Sequence, residues 1–440
     1  MAMEADYQLK LVMLCLLMTI AIPVLKANIG EFDEYWQKRE KAAHQATKEA
    51  YQPNPLKHVN HLNKHTHKAL EGHNGTRRNL RRWDGPCQAN NPIDKCWRCD
   101  PDWENNRKKL ADCALGFGHG TTGGKDGEIY TVTDPSDDDV VEPKEGTLRW
   151  GVIQPEPLWI IFDSDMRIEL KEELLVNSDK TIDARGANVH IEGGGQITLQ
   201  YVQNIIISNI HVRDTVAKEG GLIRDSTDHY GTRTASDGDG ISLFGATKVW
   251  IDHVSASNCA DGLIDVIAGS TAITISNSHF TDHNDVMLFG SSDSFTKDEE
   301  MQITLAFNHF GQGLIQRMPR CRFGFFHVVN NDYTHWIMYA IGGSSHPTIL
   351  SQGNRYIAPE NEAAKEVCNR VNTAPSVWSS WNWISQDDIS VNGAHFTPSG
   401  SLEAINGIGE EDLIPAKPGY LVTPLTRFAG PLKCVPGEGC

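Results

Sequence analysis

Short β-rich runs with apolar first positions punctuate the chain from residue 205 onward. They are Ile205-Ile-Ile-Ser-Asn, Val249-Trp-Ile-Asp-His, Ile273-Thr-Ile-Ser-Asn, Ile303-Thr-Leu-Ala-Phe, Phe326-His-Val-Val-Asn and Ile349-Leu-Ser-Gln-Gly. Apolar first and third positions, kept in all but the last run, where Ser351 is third, carry the period of two expected of a strand with one buried face. The runs begin 44, 24, 30, 23 and 23 residues apart, and 44 reads as two units of 22. Strands at a period near 22, with no helical pattern between them, predict a stacked solenoid rather than a helical repeat. Several runs continue into Asn and an aromatic or His, as in Asn308-His309-Phe310, Asn331-Asp332-Tyr333 and Asn354-Arg355-Tyr356. Such an Asn either bonds the coils above and below or takes a left-handed turn position. Both readings predict an all-β, single-stranded right-handed parallel β-helix. The 30-residue interval, which holds Ser291-Ser292-Asp293-Ser294, predicts a loop leaving the stack.

Ahead of the repeats the pattern changes. Residues 31–51 place Phe32, Tyr35, Trp36, Ala43, Ala46 and Ala50 on one helical face, and Pro53 stops the helix. Residues 57–85 are basic, with seven Lys/Arg against Glu71 and Asp84, and hold His58, His61, His65, His67 and His73. The irregular His spacing suits a solvated polar linker better than a metal cluster, and a basic arm is able to hold an acidic polymer. Arg77-Arg78 and Arg81-Arg82 are candidate processing sites. Leu11–Leu25 is an apolar run of 15 residues behind Lys10, the length of a signal-peptide core and short of the roughly 20 that span a membrane. The expected organisation is a signal peptide at 1–27, a helical and basic His-rich extension at 28–85, and the β-helix at 86–440.

Charge sharpens this picture. The 440 residues carry a formal charge of −17, and from Pro86 onward 27 cations face 48 anions, a net of −21. So acidic a body argues against nucleic-acid partners, because phosphates need cations. Export suits the cysteines: Cys87, Cys96, Cys99 and Cys113 crowd one segment, and Cys434 and Cys440 close the chain. Structural disulfides are therefore expected over a zinc or redox role for Cys96-Trp97-Arg98-Cys99. With Cys15 removed nine cysteines remain, so at least one thiol stays unpaired within a monomer. Asn74-Gly75-Thr76 is a glycosylation sequon with Asn74 as acceptor.

Two clusters carry candidate chemistry. Asp237-Gly-Asp239-Gly precedes Ile241-Ser-Leu-Phe, and Asp261-Gly-Leu-Ile-Asp265 follows. Coil stacking brings these carboxylates to one side, where they read as turn-forming Asp-Gly, as an acid/base pair for glycoside hydrolysis, or as a hard-cation site for Ca²⁺. About two coils later comes Arg317-Met-Pro-Arg320-Cys-Arg322. Three arginines in an acidic body either pair with its carboxylates or grip an anionic substrate through planar guanidinium groups.

These motifs join a larger set. Cys96-Trp-Arg-Cys-Asp-Pro-Asp-Trp103, Ala111-Asp-Cys-Ala-Leu-Gly-Phe-Gly118, Glu156-Pro-Leu-Trp-Ile-Ile161, Val249-Trp-Ile-Asp-His253, Asp261-Gly-Leu-Ile-Asp265 and Arg317-Met-Pro-Arg320 resemble the plant pectate lyases, from about Pro86 to the C-terminus. The N-terminal extension is similar to the extra domain of pollen and anther members. The resemblance implies a parallel β-helix and a secreted, monomeric, Ca²⁺-dependent eliminase acting on (1→4)-α-D-galacturonan (pectate) in the cell wall, with no membrane anchor once the signal is removed. It assigns Asp237, Asp261 and Asp265 as calcium ligands with Asp239 as a fourth, Arg317 as base, and Arg322 with Arg320 toward the substrate carboxylate. Because free guanidinium stays protonated above about pH 12, an arginine base implies an alkaline optimum. One departure stands out: the family's substrate-binding lysine before Val-Met-Leu is Asp285 here, and its His-Ser-Asp becomes Ser291-Ser292-Asp293. Asp285 therefore supports an alternative, a galacturonan-binding protein with little or no turnover. A β-helix polygalacturonase and a pectin lyase stand further off. Cys96–Cys113 and Cys434–Cys440 are the candidate disulfides.

Overall fold

The computed structural model describes residues 33–71, 87–403 and 413–440. The expected signal peptide, the two arginine pairs and Asn74 lie outside the described residues. All six runs fall in one ten-stranded parallel sheet, and their first residues are direct partners. Ile205 sits opposite Val249, Val249 opposite Ile273, Ile273 opposite Ile303, Ile303 opposite Phe326, and Phe326 opposite Ile349. Parallel sheets of nine and eight strands complete each coil, which makes the chain a parallel β-helix with a helical N-terminal extension.

First and third positions point inward. Ile205, Ile207, Val249, Ile251, Ile273, Ile275, Ile303 and Leu305 form a continuous core, each worth about 1.5–3 kcal/mol when fully buried. Phe280, Phe310, Tyr333 and Tyr356 stack coil on coil, with ring centroids 5.3, 4.5 and 4.8 Å apart. The two roles open to the recurring Asn are both realised, in neighbouring columns. Asn308 Nδ2 donates to Asn331 Oδ1 (3.0 Å) and Asn331 Nδ2 to Asn354 Oδ1 (3.0 Å), a ladder along the stack. Asn209, Asn277 and Asn330 instead take the left-handed turn, with φ of 65°, 48° and 51°.

Three expectations change. The 44-residue interval is one coil, not two, since Ile205 pairs directly with Val249. The surplus is spent on an antiparallel hairpin, Gly221–Arg224 with Tyr230–Arg233. The long sheet also buries both faces: the outward residues Ile206, Trp250, Thr274, Thr304, His327 and Leu350 are fully buried. Helices α1 (Glu34–Ala50) and α2 (Leu56–Glu71) and the cysteine-rich segment cover them. Residues 57–71 are thus helix rather than linker. Leu56, Val59, Leu62, Asn63, Thr66 and Ala69 are buried on one side, and two polar members, Asn63 and Thr66, hide the period from the sequence. Asn63 Nδ2 meets its burial by donating to Gln352 Oε1 (3.0 Å) and Ile414 O (2.7 Å). Both candidate disulfides, Cys96–Cys113 and Cys434–Cys440, form as expected, and Cys87–Cys99 is a third, so Cys96 and Cys99 go to different partners. Cys259, Cys321 and Cys368 are free and buried. The interval containing Ser291–Ser294 does leave the stack, through a 3₁₀ turn at Thr296–Glu300.

Val249-Trp-Ile-Asp-His253 has a structural task. Trp250 Nε1 donates to Ser276 Oγ at 2.9 Å. His253 lies between Gly430 O (2.9 Å from Nδ1) and Asp94 Oδ1 (2.8 Å from Nε2), so both ring nitrogens face acceptors. Burial alone disfavours the imidazolium, but Asp252 and Asp94 outweigh it and hold His253 above its ordinary value. Asp94 is the mirror case: burial opposes its charge, and His253 and Arg98 outweigh it and hold the carboxyl low. The cluster joins the cysteine-rich segment and the C-terminal tail to the coil. Its histidine contribution is complete below the ordinary value near 6.5 and is lost as pH rises through the raised one; its aspartate contribution is lost only in acid. His253→Gln should therefore cost about 3–5 kcal/mol near neutrality. Thermal melts against pH should show the gap to wild type narrowing toward alkaline pH; a gap independent of pH would refute the imidazolium.

Candidate functional site

The two acidic motifs end adjacent coils. Strand Ile241–Phe244 pairs with Ile264–Ile267, placing Ile241 opposite Ile264 and Ser242 opposite Asp265. This register brings carboxylate oxygens of Asp237, Asp239 and Asp261 within 4.8 Å of one another. The turn reading and the ligand reading hold together, because the glycines shape the loop that presents the acids. Gly238 has φ of +88°, and a Cβ there would meet Ala217 N at 2.6 Å. Asp265 stands one step inside the strand. Its Oδ1 accepts from Leu288 N–H (3.1 Å), and a Cβ on Gly262 would approach it to 2.0 Å. Of the four acids named from sequence, three form the close group and the fourth backs it.

A buried polar chain holds the loop in place. Gln196 Oε1 accepts from the backbone N–H of Gly238 (2.9 Å) and Asp239 (3.2 Å), and its Nε2 donates to Thr198 Oγ1 (3.2 Å). Thr198 Oγ1 donates to Glu173 Oε2 (2.9 Å), which also accepts from Arg233 Nη2 (3.0 Å), and Arg233 lies 5.3 Å over the Trp36 ring of α1. Gln196, Glu173 and Arg233 belong to no motif, so nothing in the sequence marks them.

The carboxylates crowd one another, and burial adds to their repulsion. Burial pushes Asp239 well above the usual range, and Asp265 and Asp237 push it further. Asp265 is raised to about 8, first by burial and then by Asp261 and Asp237 against the opposing pull of Leu288 N–H and Arg317. Asp237 rises for the same reasons, burial before Asp261. Hard oxygen donors under this mutual repulsion fit a calcium-class cation.

Two coils along, Leu288 carries the column from Asp265 to Arg320; at the strand spacing this is about 10 Å. In Arg320–Arg322 the central Cys321 points into the core, so both arginines face outward. Their surroundings differ. Arg322 is committed: Nη1 donates to Gly290 O (2.7 Å) and Nε to Asp293 Oδ1 (3.1 Å). Arg317, at φ +61°, makes ion-pair contact with Asp285, Nε to Oδ1 at 3.1 Å. Arg320 has no carboxylate within ion-pair distance among the described residues, and its buried Nε lacks a hydrogen-bond partner. Burial, then Arg322 and Arg317, weaken its hold on its proton. Tyr339, absent from the sequence reading, is buried beside Arg317 and Arg320, and Gly342 makes room for its ring, which a Cβ would meet at 2.5 Å. A cleft of about 380 Å³ beside these groups is lined by Asp261, His283, Asp285 and Ile315, among others.

Comparison with known proteins agrees across the chain. A family model described as "Pectate lyase" matches residues 169–398, and one described as "Pectate lyase, N terminus" matches residues 28–80. A pectate lyase of Lilium longiflorum is 62% identical over 415 residues, 94% of this chain and 95% of its own length. A pectate lyase of Nicotiana tabacum is 58% identical over 362 residues, 82% and 91% of the two chains. Among solved structures, the major allergen from cedar pollen aligns with a TM-score of 0.74 at 46% identity, over 78% of this chain and 99% of its own. A thermostable pectate lyase aligns at a TM-score of 0.51 and 21% identity over 72% and 97% of the chains, a likeness of fold.

The buried chain behind the acidic loop yields a test. Arg233→Ala strands the Glu173 carboxylate, so urea unfolding should register a loss of about 3–5 kcal/mol. A loss below about 0.5 kcal/mol, as at an ordinary surface position, would show that the chain does not hold the loop.

Proposed function

The chain belongs to the pectate lyase family, and on that premise we propose that it cleaves (1→4)-α-D-galacturonan by calcium-dependent β-elimination. One observation carries the reading: three convergent carboxylates and an outward arginine cluster share one face of the stack, two to three coils apart. Asp237, Asp239 and Asp261 would hold Ca²⁺, with Asp265 behind them. Calcium bound there supplies positive charge to the uronate carboxylate, which makes the neighbouring C5 proton more acidic. It also lets an acidic protein hold a polyanion.

Arg317 takes the C5 proton. The C5–H electron pair becomes the C4–C5 double bond, the C4–O4 bond breaks, and the leaving oxygen acquires a proton to become a hydroxyl. One product thus carries an unsaturated 4-deoxy non-reducing end. Arg320, free of carboxylate partners among the described residues, is the guanidinium best placed to bind the substrate's carboxylate, while Arg322 is braced by Asp293 and Gly290. The apolar run at Leu11–Leu25 supports export to the cell wall. Among the described residues no helix is long and apolar enough to cross a membrane.

The Asp285–Arg317 contact favours a second reading, a galacturonan-binding protein with low turnover. A carboxylate where the family has lysine both repels the substrate's carboxylate and occupies the arginine assigned as base.

Polygalacturonate with Ca²⁺ should yield ultraviolet-absorbing unsaturated product, faster toward alkaline pH and halted by a chelator. Arg317→Ala should lower that rate by about 10²–10⁴-fold, the span of general-base catalysis. Folded protein that binds the polymer but releases no product at any pH would select the second reading. Asp285→Asn should raise the rate several-fold by freeing Arg317, and an unchanged or lower rate would show that Asp285 does not restrain the site.

A further inference from the structure

Four histidines meet on the opposite, covered side of the long sheet. His58, His61 and His65 follow one another at i, i+3 and i+7, so they share a face of α2. His119 approaches from the β-helix, just beyond the 3₁₀ turn Gly116–Gly118. That turn is bonded to the sheet: Phe117 N donates to Thr304 Oγ1 (3.1 Å) and Gly118 N to Thr274 Oγ1 (2.9 Å). The His61 ring centroid lies 4.5 Å from that of His65 and 4.6 Å from that of His119. Two imidazoles on one tetrahedral ion have centroids about 5 Å apart, given metal–nitrogen bonds near 2.0–2.1 Å.

The chemistry of the group is equally suited. No carboxylate lies within ion-pair distance of these four rings among the described residues, and no described group hydrogen-bonds the ring nitrogens of His61, His65 or His119. Half-exposed imidazoles crowded together, with Lys57, Lys64 and Lys68 as their helix neighbours, gain nothing from one another. His58 differs usefully. Its Nδ1 faces Gly116 O at 3.2 Å, the second hydrogen bond that fixes a ligating histidine's tautomer and leaves Nε2 its lone pair.

We infer that His61, His65 and His119, with His58 beside them, bind a borderline-soft divalent transition ion of the zinc class and thereby staple α2 to the β-helix. Neutral imidazole suits such an ion and not calcium, so this site and the carboxylate site select different metals. The nitrogens are not drawn together as closely as the carboxylate trio. Closure requires rotation of solvent-facing side chains, a fast motion that moves no backbone.

The test uses the full chain stripped of metal, with Ca²⁺ at saturation to occupy the carboxylates. Calorimetric titration with Zn²⁺ should find one tight equivalent, and Co²⁺ should give the visible absorption of a low-symmetry, nitrogen-ligated ion. His61→Ala and His119→Ala should each weaken Zn²⁺ binding at least tenfold. His67→Ala should leave it unchanged, since the His67 Nε2 faces Pro415 O at 2.9 Å, away from the cluster. Zn²⁺ should also raise the melting temperature of the wild type and not of His119→Ala. His119 is exposed, so that variant should melt like the wild type without metal. No equivalent, or one that survives undiminished in the His61→Ala/His119→Ala double variant, overturns the inference.

Discussion

Everything in this molecule follows from in-register stacking of parallel coils. A residue in one coil lies directly over its counterpart in the next, about 4.8 Å away, so each column must be chemically compatible with itself. Apolar columns merge into the core, Asn columns bond as ladders or line up as left-handed turns, and aromatic columns stack. Charged columns are the exception, because like charges at that spacing repel. They survive only at the rim of the stack, where a turn, a neighbouring ion pair or a bound cation relieves them. The acidic motifs occupy such a rim, and the convergence of their carboxylates there is a consequence of the architecture.

The same constraint explains the N-terminal extension. A parallel sheet whose outer face carries Ile206, Trp250 and Leu350 cannot stand in water on that side. Helices α1 and α2 and the disulfide-bonded segment supply the missing layer. Buried polar groups fix where that layer sits. His253 with Asp94 and Arg98 anchors the cysteine-rich segment, and Trp36 Nε1 reaches Asp225 of the inserted hairpin at 3.1 Å. Through Arg233, Glu173, Thr198 and Gln196 the first helix also connects to the backbone of the acidic loop. The covering layer and the site are therefore parts of one hydrogen-bonded frame.

Electrostatics divides the arginine cluster. Of the two readings left open for it, pairing with the body's carboxylates holds for Arg317 and Arg322 and not for Arg320. Arg322 is braced by Asp293, itself held by Ser344 and Ser345. Arg317 faces Asp285, and among the described residues only Arg320 of the three lacks a carboxylate. Asp285 thus decides which guanidinium is left unpaired.

Local patterns sufficed for much of this. The period of two with recurring Asn was enough for the parallel β-helix, and the spacing of Asp237, Asp239, Asp261 and Arg317 was enough to place the acids and arginines about two coils apart, because parallel stacking converts chain distance directly into height. The first helix was legible from its aromatic and alanine face, and the second was not, since its buried stripe includes two polar residues: Asn63, answered by the distant Gln352 and Ile414, and Thr66, answered by Leu62 O one turn back. Chain distance also misled where the hairpin at Gly221–Arg233 lengthened one coil to 44 residues. What only the tertiary structure decided depends on residues far apart in the chain: the burial of the sheet's outer face, the loop-holding chain from Trp36 to Gln196, Tyr339 beside the arginines, the Arg317–Asp285 contact and the meeting of His61 and His65 with His119. Each is set by what packs against a side chain from another coil or element, and no local pattern encodes a neighbour that arrives from 50 or 200 residues away.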